Sequence, residues 1–214
     1  MSTDSAPAGT LTADEVLERL RAGNDRFVRG TARFPTVQKE VLAQLAKGQQ
    51  PYATILGCSD SRVPPELVFD AGFGELFIIR VAGNVVSPEV MGTIQYASVH
   101  LRTPLFVVLG HEGCGAVKAA LAMKHEGARQ RARIQLLLEN ILPGLQDIDA
   151  QLGPHELLDT AVEANVRWSM HQLLETPEGK ARIAEGVMKM VGAVYELHTG
   201  RVRFLPESSA VTTA

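Results

Sequence analysis

Two short segments concentrate the residues able to do chemistry. Cys58, Asp60 and Arg62 fall within GCSDSR (57–62), and His111 and Cys114 within GHEGCG (110–115). Cysteine, histidine and aspartate are all zinc ligand types, and two thiolates with one imidazole suit this borderline-soft ion in a tetrahedral site. Both of the chain's two cysteines belong to this set. A cytosolic compartment would keep them reduced, which favours metal binding or catalysis over a disulfide. Taken singly each residue is ambiguous: a cysteine at a strand end is commonly a small hydrophobe, His-x-x-Cys alone is a weak signal, and an aspartate after a strand commonly turns or caps. Their coincidence at two matching places is what points to a metal.

Each segment follows an apolar run that ends in glycine. YATILG (52–57), ELFIIRVAG (75–83) and PLFVVLG (104–110) read as buried parallel strands. Residues 88–101, with Val90, Met91, Ile94, Ala97, Val99 and Leu101, are expected to form a crossover helix. Another helix should begin near Cys114, where the positive end of its dipole favours a thiolate. In open parallel sheets ligands bind beyond the carboxyl ends of the strands, where the strand order reverses. If the second strand lies outside the first, the first and third are neighbours and both segments meet at that reversal.

The remaining chain frames this core. Thr12-x-x-Glu15 has the form of a capping box and opens a helix carrying Val16, Leu17, Leu20, Phe27 and Val28; Val37, Val41, Leu42 and Leu45 mark a second helix ending at Gly48. Residues 131–145 and 156–174 read as helices joined by the turn-rich stretch 147–154, and 187–197 with 201–205 as a terminal hairpin. Residues 1–10 are expected to be disordered, 11–205 to form one domain, and 206–214 to be a flexible tail.

Composition excludes several classes. The 214 residues are 45% hydrophobic, enough for a core without disulfides. A net charge of −3 from scattered residues offers no field for a polyanion, so nucleic acid is not an expected partner. No run reaches transmembrane length and the opening residues do not read as a secretory signal, so a soluble, cytoplasmic protein is expected. No glycine-rich phosphate loop follows the first strand, which counts against nucleotide binding.

With these residues in view, GCSDSR, GELFIIRVAGN (74–84) and GHEGCG resemble the β-class carbonic anhydrases, from about Leu11 to Leu205. The resemblance implies an α/β domain of three layers: a four-stranded, mostly parallel sheet in the order 2-1-3-4 with an antiparallel edge strand, flanked by helices and preceded by a helical arm. It implies one zinc per chain on Cys58, His111 and Cys114, with Asp60 either in the fourth position or paired with Arg62. It also implies a homodimer or dimer of dimers with active sites at the subunit interface. Gln49 in KGQQP, Phe77 in ELF and Tyr96 in QYA match the plant-type branch, where they line a narrow apolar pocket; Ala82 joins them, and Gln49 can hydrogen-bond the substrate. His100 matches a position linked to proton transfer. Two positions depart: Val81 stands where many relatives have Asn or Thr, and Ile55 where some bacterial relatives have tryptophan, so the bicarbonate-inhibited form built on that tryptophan is not expected.

Charge then separates two states of such a site. Zinc on Cys58, Cys114 and neutral His111 is formally neutral, and a water in the fourth position can lose a proton and attack carbon dioxide as zinc-bound hydroxide. Asp60 in that position makes a closed, anionic site with no nucleophile. Arg62, with its planar fork, can hold the Asp60 carboxylate off the metal. The rival readings are hydrolysis of carbonyl sulfide or carbon disulfide on the same fold, and a non-catalytic structural zinc or bicarbonate-sensing module in which Asp60 stays on the metal. For Arg62 the plain alternative is a solvated loop arginine, for Phe77, Ala82 and Tyr96 core packing, and for His100 a surface histidine.

Overall fold

The apolar runs are strands because they are covered on both faces. In the computed structural model, which describes residues 11–33 and 39–206, β1 (Ala53–Gly57) and β3 (Leu105–His111) are buried at every position. Such strands have no solvent face and so no polar alternation. With β2 (Leu76–Arg80), β4 (Lys189–Tyr195) and β5 (Val202–Phe204) they form a five-stranded sheet in the order β2-β1-β3-β4-β5. The first four are parallel and β5 is antiparallel to β4, as the resemblance implies. Gly57 sits opposite Arg80 on one side and Leu109 on the other.

Helices cover both faces. On one, α1 (Ala13–Val28) and α3 (Pro65–Val68) bring Val16, Leu20, Val68 and Phe69 against Ile55, Leu105, Val107 and Leu109. On the other, α4 (Pro88–Tyr96), α5 (Gly115–Glu126), α6 (Ala132–Glu139) and α7 (Pro154–Leu174) pack on Leu56, Phe106 and Val108. Each fully buried aliphatic or aromatic side chain contributes roughly 1.5–3 kcal/mol. α7 lies close over β3 because Gly110 has no side chain: a Cβ there would stand 2.6 Å from Val166 Cγ2.

α1 is tied down at both ends. Thr12 and Glu15 form the expected reciprocal cap. Buried Asn24 donates from Nδ2 to Val68 O (3.1 Å) and Gly200 O (2.9 Å) and accepts at Oδ1 from Val202 N–H (2.8 Å). Beyond it Asp70, its side chain 1% exposed, takes Arg26 Nε on Oδ2 (2.5 Å), and Arg33 N–H on Oδ1 (2.8 Å) and Nε on Oδ2 (3.2 Å). Burial pushes this carboxyl's pKa up, but the arginine donors outweigh it and hold it below the usual carboxylate value.

Several expectations need correction. Residues 88–101 are not one helix: α4 ends at Tyr96, and Ala97–Leu101 wind into a π turn closed by Arg102 in the left-handed conformation (φ 51°). Residues 131–145 divide, since Pro143 lacks the N–H that a continuing helix needs, and Leu142–Leu145 form a 3-10 turn. α2 (Lys39–Leu45) forms, but Val41 and Leu42 stay exposed, and Val37 lies outside the described residues. α8 (Pro177–Ala184) is an additional helix before β4. The expectations for residues 1–10 and for the tail beyond Pro206 lie outside the described residues. Among the described residues no helix is long and apolar enough to cross a membrane.

Candidate metal centre

Because β1 and β3 are adjacent and parallel, Cys58 and His111 emerge at the same end of the sheet. Arg80, at the end of β2, clamps the first segment: Nε donates to Cys58 O (2.9 Å) and Nη2 to Asp60 O (2.6 Å). Cys114 is the N-cap residue of α5, so its sulfur stands at the helix start, where the backbone N–H groups of Ala116 and Val117 favour its thiolate. The two sulfurs and a His111 ring nitrogen lie within 4.8 Å of one another, and all three residues are buried.

His111 is oriented for ligation. Nδ1 donates to Glu112 O (2.8 Å), which leaves the lone pair on Nε2. Nε2 is buried without a hydrogen-bond partner. An orphaned buried polar atom costs about 1–3 kcal/mol unless something binds it, and a cation between two cysteine sulfurs would do so. Glu112 is itself held, its N–H donating to Tyr195 O (3.0 Å) and its Oε2 accepting from Leu197 N–H (2.8 Å). This donor set fits zinc.

The neighbouring Cys114 sulfur and the Gly83 N–H hold the Cys58 pKa below the usual thiol value, against the effect of burial. Cys114 is pushed up by the thiolate beside it and by burial. A divalent cation held here would take both as thiolates.

Asp60 is turned onto Arg62. Nε donates to Oδ1 (2.9 Å), Nη2 to Oδ2 (2.8 Å), and the Arg62 backbone N–H to Oδ1 (3.0 Å). Arg62 thereby holds the carboxyl far below the usual carboxylate range. Asp60 Oδ2 stands 3.8 Å from His111 Nε2.

Ala82 begins a tight turn, Ala82–Asn84, whose Gly83 N–H donates to Cys58 Sγ (3.3 Å). Gly83 has φ 67°, and a Cβ there would meet Ile141 Cδ1 at 2.8 Å, so only glycine fits. Phe77, Tyr96 and His100 form a row of rings with centroids 6.2 and 4.8 Å apart. Phe77 pairs in register with Thr54 while Arg80 pairs with Gly57, so the row is set back along β2 by about 10 Å from the end where the cysteines gather. Tyr96 is 48% exposed. Gln49 is exposed between α2 and β1. Sequence reasoning assigned no part to Arg80, the Gly83 N–H or Glu112. Glu112 could have been suspected from its place between His111 and Cys114, whereas a backbone donor has no side-chain signature.

A family model described as carbonic anhydrase matches residues 53–202, a span that holds both segments. Carbonic anhydrase 2 of Mycobacterium tuberculosis is 38% identical over 187 residues, covering 85% of this chain and 87% of that protein. Among solved structures, the β-carbonic anhydrase CafA of Aspergillus fumigatus matches with a TM-score of 0.72 at 26% identity, covering 91% of this chain and 94% of its own. One of two β-carbonic anhydrases of Sordaria macrospora, described as tetrameric, matches with a TM-score of 0.70 at 25% identity over 89% and 96%. Fold, matched span and relatives agree, and the chain belongs to the β-carbonic anhydrase family.

Proposed function

We propose that this enzyme interconverts carbon dioxide and bicarbonate with one zinc ion per chain, held by Cys58, His111 and Cys114, while Arg62 keeps Asp60 off the metal. One observation carries the reading: a buried, partnerless His111 Nε2 stands with two cysteine sulfurs beside an aspartate turned onto both prongs of an arginine. Zinc on these two thiolates and one imidazole makes a formally neutral centre that would acidify water and so supply a nucleophile for carbon dioxide near neutral pH.

Arg62 acts on Asp60, occupying both oxygens and keeping the carboxylate ionised. Asp60 Oδ2 can still accept a hydrogen bond from the attacking water and orient its lone pair towards the substrate. An Asp60 released to the metal would give four protein ligands and a closed site, the state a structural or bicarbonate-sensing module would use; the observed pairing favours the open state.

Carbon dioxide binds against Phe77, Ala82 and Tyr96, Gln49 hydrogen-bonds it, and a proton leaves by way of His100. The set-back position of Phe77 and the exposure of Tyr96 support a pocket shared between copies, in a homodimer or dimer of dimers. The tetrameric description of the Sordaria macrospora enzymes is consistent with the larger assembly. Residues 11–205 act as one catalytic domain, and a cytoplasmic setting keeps both cysteines reduced and available to the metal.

Stopped-flow carbon dioxide hydration alongside zinc analysis tests the reading. The zinc-loaded protein should be active at neutral or alkaline pH; inactivity at both refutes it. Arg62→Ala should retain its zinc and lose at least about 100-fold in kcat, and full activity in that variant would remove the gate.

A further inference from the structure

α7 carries two polar side chains on its buried face, one turn apart. Asn165 and Ser169 are each 1% exposed, and both are committed to the same turn. Asn165 Nδ2 donates to Gly83 O (2.8 Å); Ser169 Oγ donates to Asn84 O (3.0 Å) and accepts from Asn84 Nδ2 (3.3 Å). Gly83 and Asn84 are two successive residues with positive φ, at 67° and 45°. A non-glycine residue in that region persists only where its surroundings over-determine it. The turn so held delivers Gly83 N–H to Cys58 Sγ. The arrangement is not free, because Asn165 Oδ1 is buried without a partner. With Nδ2 on the Gly83 carbonyl, that oxygen is left over, and an apolar residue of similar shape would spare the fold this orphan.

We propose that Asn165, assisted by Ser169, is a positioning residue for the metal centre: by gripping the Gly83 carbonyl it aims the Gly83 N–H at the Cys58 sulfur and thereby sets that thiolate's donor strength towards the metal. The proposal rests on the reading above that Cys58 is a ligand. An N–H directed at a thiolate withdraws electron density from it, and outer partners of this kind commonly change metal affinity by about 10–100-fold.

The test compares wild type, Asn165→Leu, Ser169→Ala and Leu173→Ala, the last removing a buried apolar side chain of α7 that does not bond the turn. Each is loaded with cobalt(II) to read its thiolate-to-metal charge-transfer band, and with zinc to measure release to a chelator; melting temperature is followed in parallel. Asn165→Leu should move the band to lower energy, because the thiolate then donates more strongly, and release zinc about tenfold faster, because the loosened turn no longer holds Cys58 in position. Ser169→Ala should do both to a smaller degree. Leu173→Ala should melt earlier with band and release rate unchanged. A wild-type band in Asn165→Leu with unchanged release overturns the proposal, as does a band shift in Leu173→Ala equal to that in Asn165→Leu. Should Asn165→Leu fail to fold, Ser169→Ala decides by the same two readouts, and no change in it overturns the proposal. Absence of any thiolate band in wild type would instead refute Cys58 as a ligand, which separates failure of the site from failure of the brace.

Discussion

Asp60 and Asp70 are both gripped by arginine, yet they sit in opposite circumstances. Asp70 is 1% exposed, and its oxygens are spent on Arg26, Arg33 and a backbone N–H. It closes the joint between α1 and the turn after α3. Asp60 is 18% exposed, its Arg62 partner 54% exposed, and Oδ2 faces His111 Nε2 across 3.8 Å. An exposed ion pair contributes little to stability, whereas breaking a buried one is costly. Pairing alone therefore does not reveal what an aspartate is for; burial and the next group it faces do.

Substitutions can test this division. The largest effect should come from Asp60→Ala, with kcat falling by about 100-fold or more and the melting temperature moving by no more than about 2 °C. Equal loss of melting temperature in Asp60→Ala and Asp70→Ala would erase the distinction. Asp70→Ala should lower the melting temperature by about 5–10 °C and leave the kcat of the folded enzyme unchanged within error. A third measurement uses acid. Asp70 titrates lower in the folded chain than its unfolded value of about 3.9, so its ionised form stabilises the fold fully above that value and the benefit disappears as pH falls through the folded value. The difference in urea midpoint between wild type and Asp70→Asn should be constant near neutrality and shrink below about pH 4. A difference that does not shrink on acidification would mean the charged carboxylate is not the stabilising form. Arg33→Ala should show the smallest effect, about 2 °C or less in melting temperature, because that side chain is largely exposed.

What could be read from the sequence followed physical locality. A strand covered on both faces announces itself as an unbroken apolar run, so β1 and β3 and the two segments that follow them were legible, and the sheet's reversal brought those segments together. The π turn was not, because Val90, Ile94, Ala97 and Leu101 keep a helical period while the backbone beneath them changes. α8 has a capping threonine, Thr176, but its mixture of charged residues and glycine gives no apolar stripe to recognise. Asp70 finds Arg26 44 residues away, and Asn165 finds the Gly83 carbonyl 82 residues away. Contacts to a distant arginine or to a backbone carbonyl leave no trace in spacing, so the core of the site was visible and its braces were not.

Asn24 carries a consequence for how the chain is made. Its amide joins α1 to Gly200 and Val202, the latter 178 residues further along. During synthesis from the amino end, α1 emerges early, yet this amide cannot be fully satisfied until the edge strand has left the ribosome. The helix can coil and lay Val16 and Leu20 on the sheet first, but its anchoring to the edge strand is among the last contacts the chain can make.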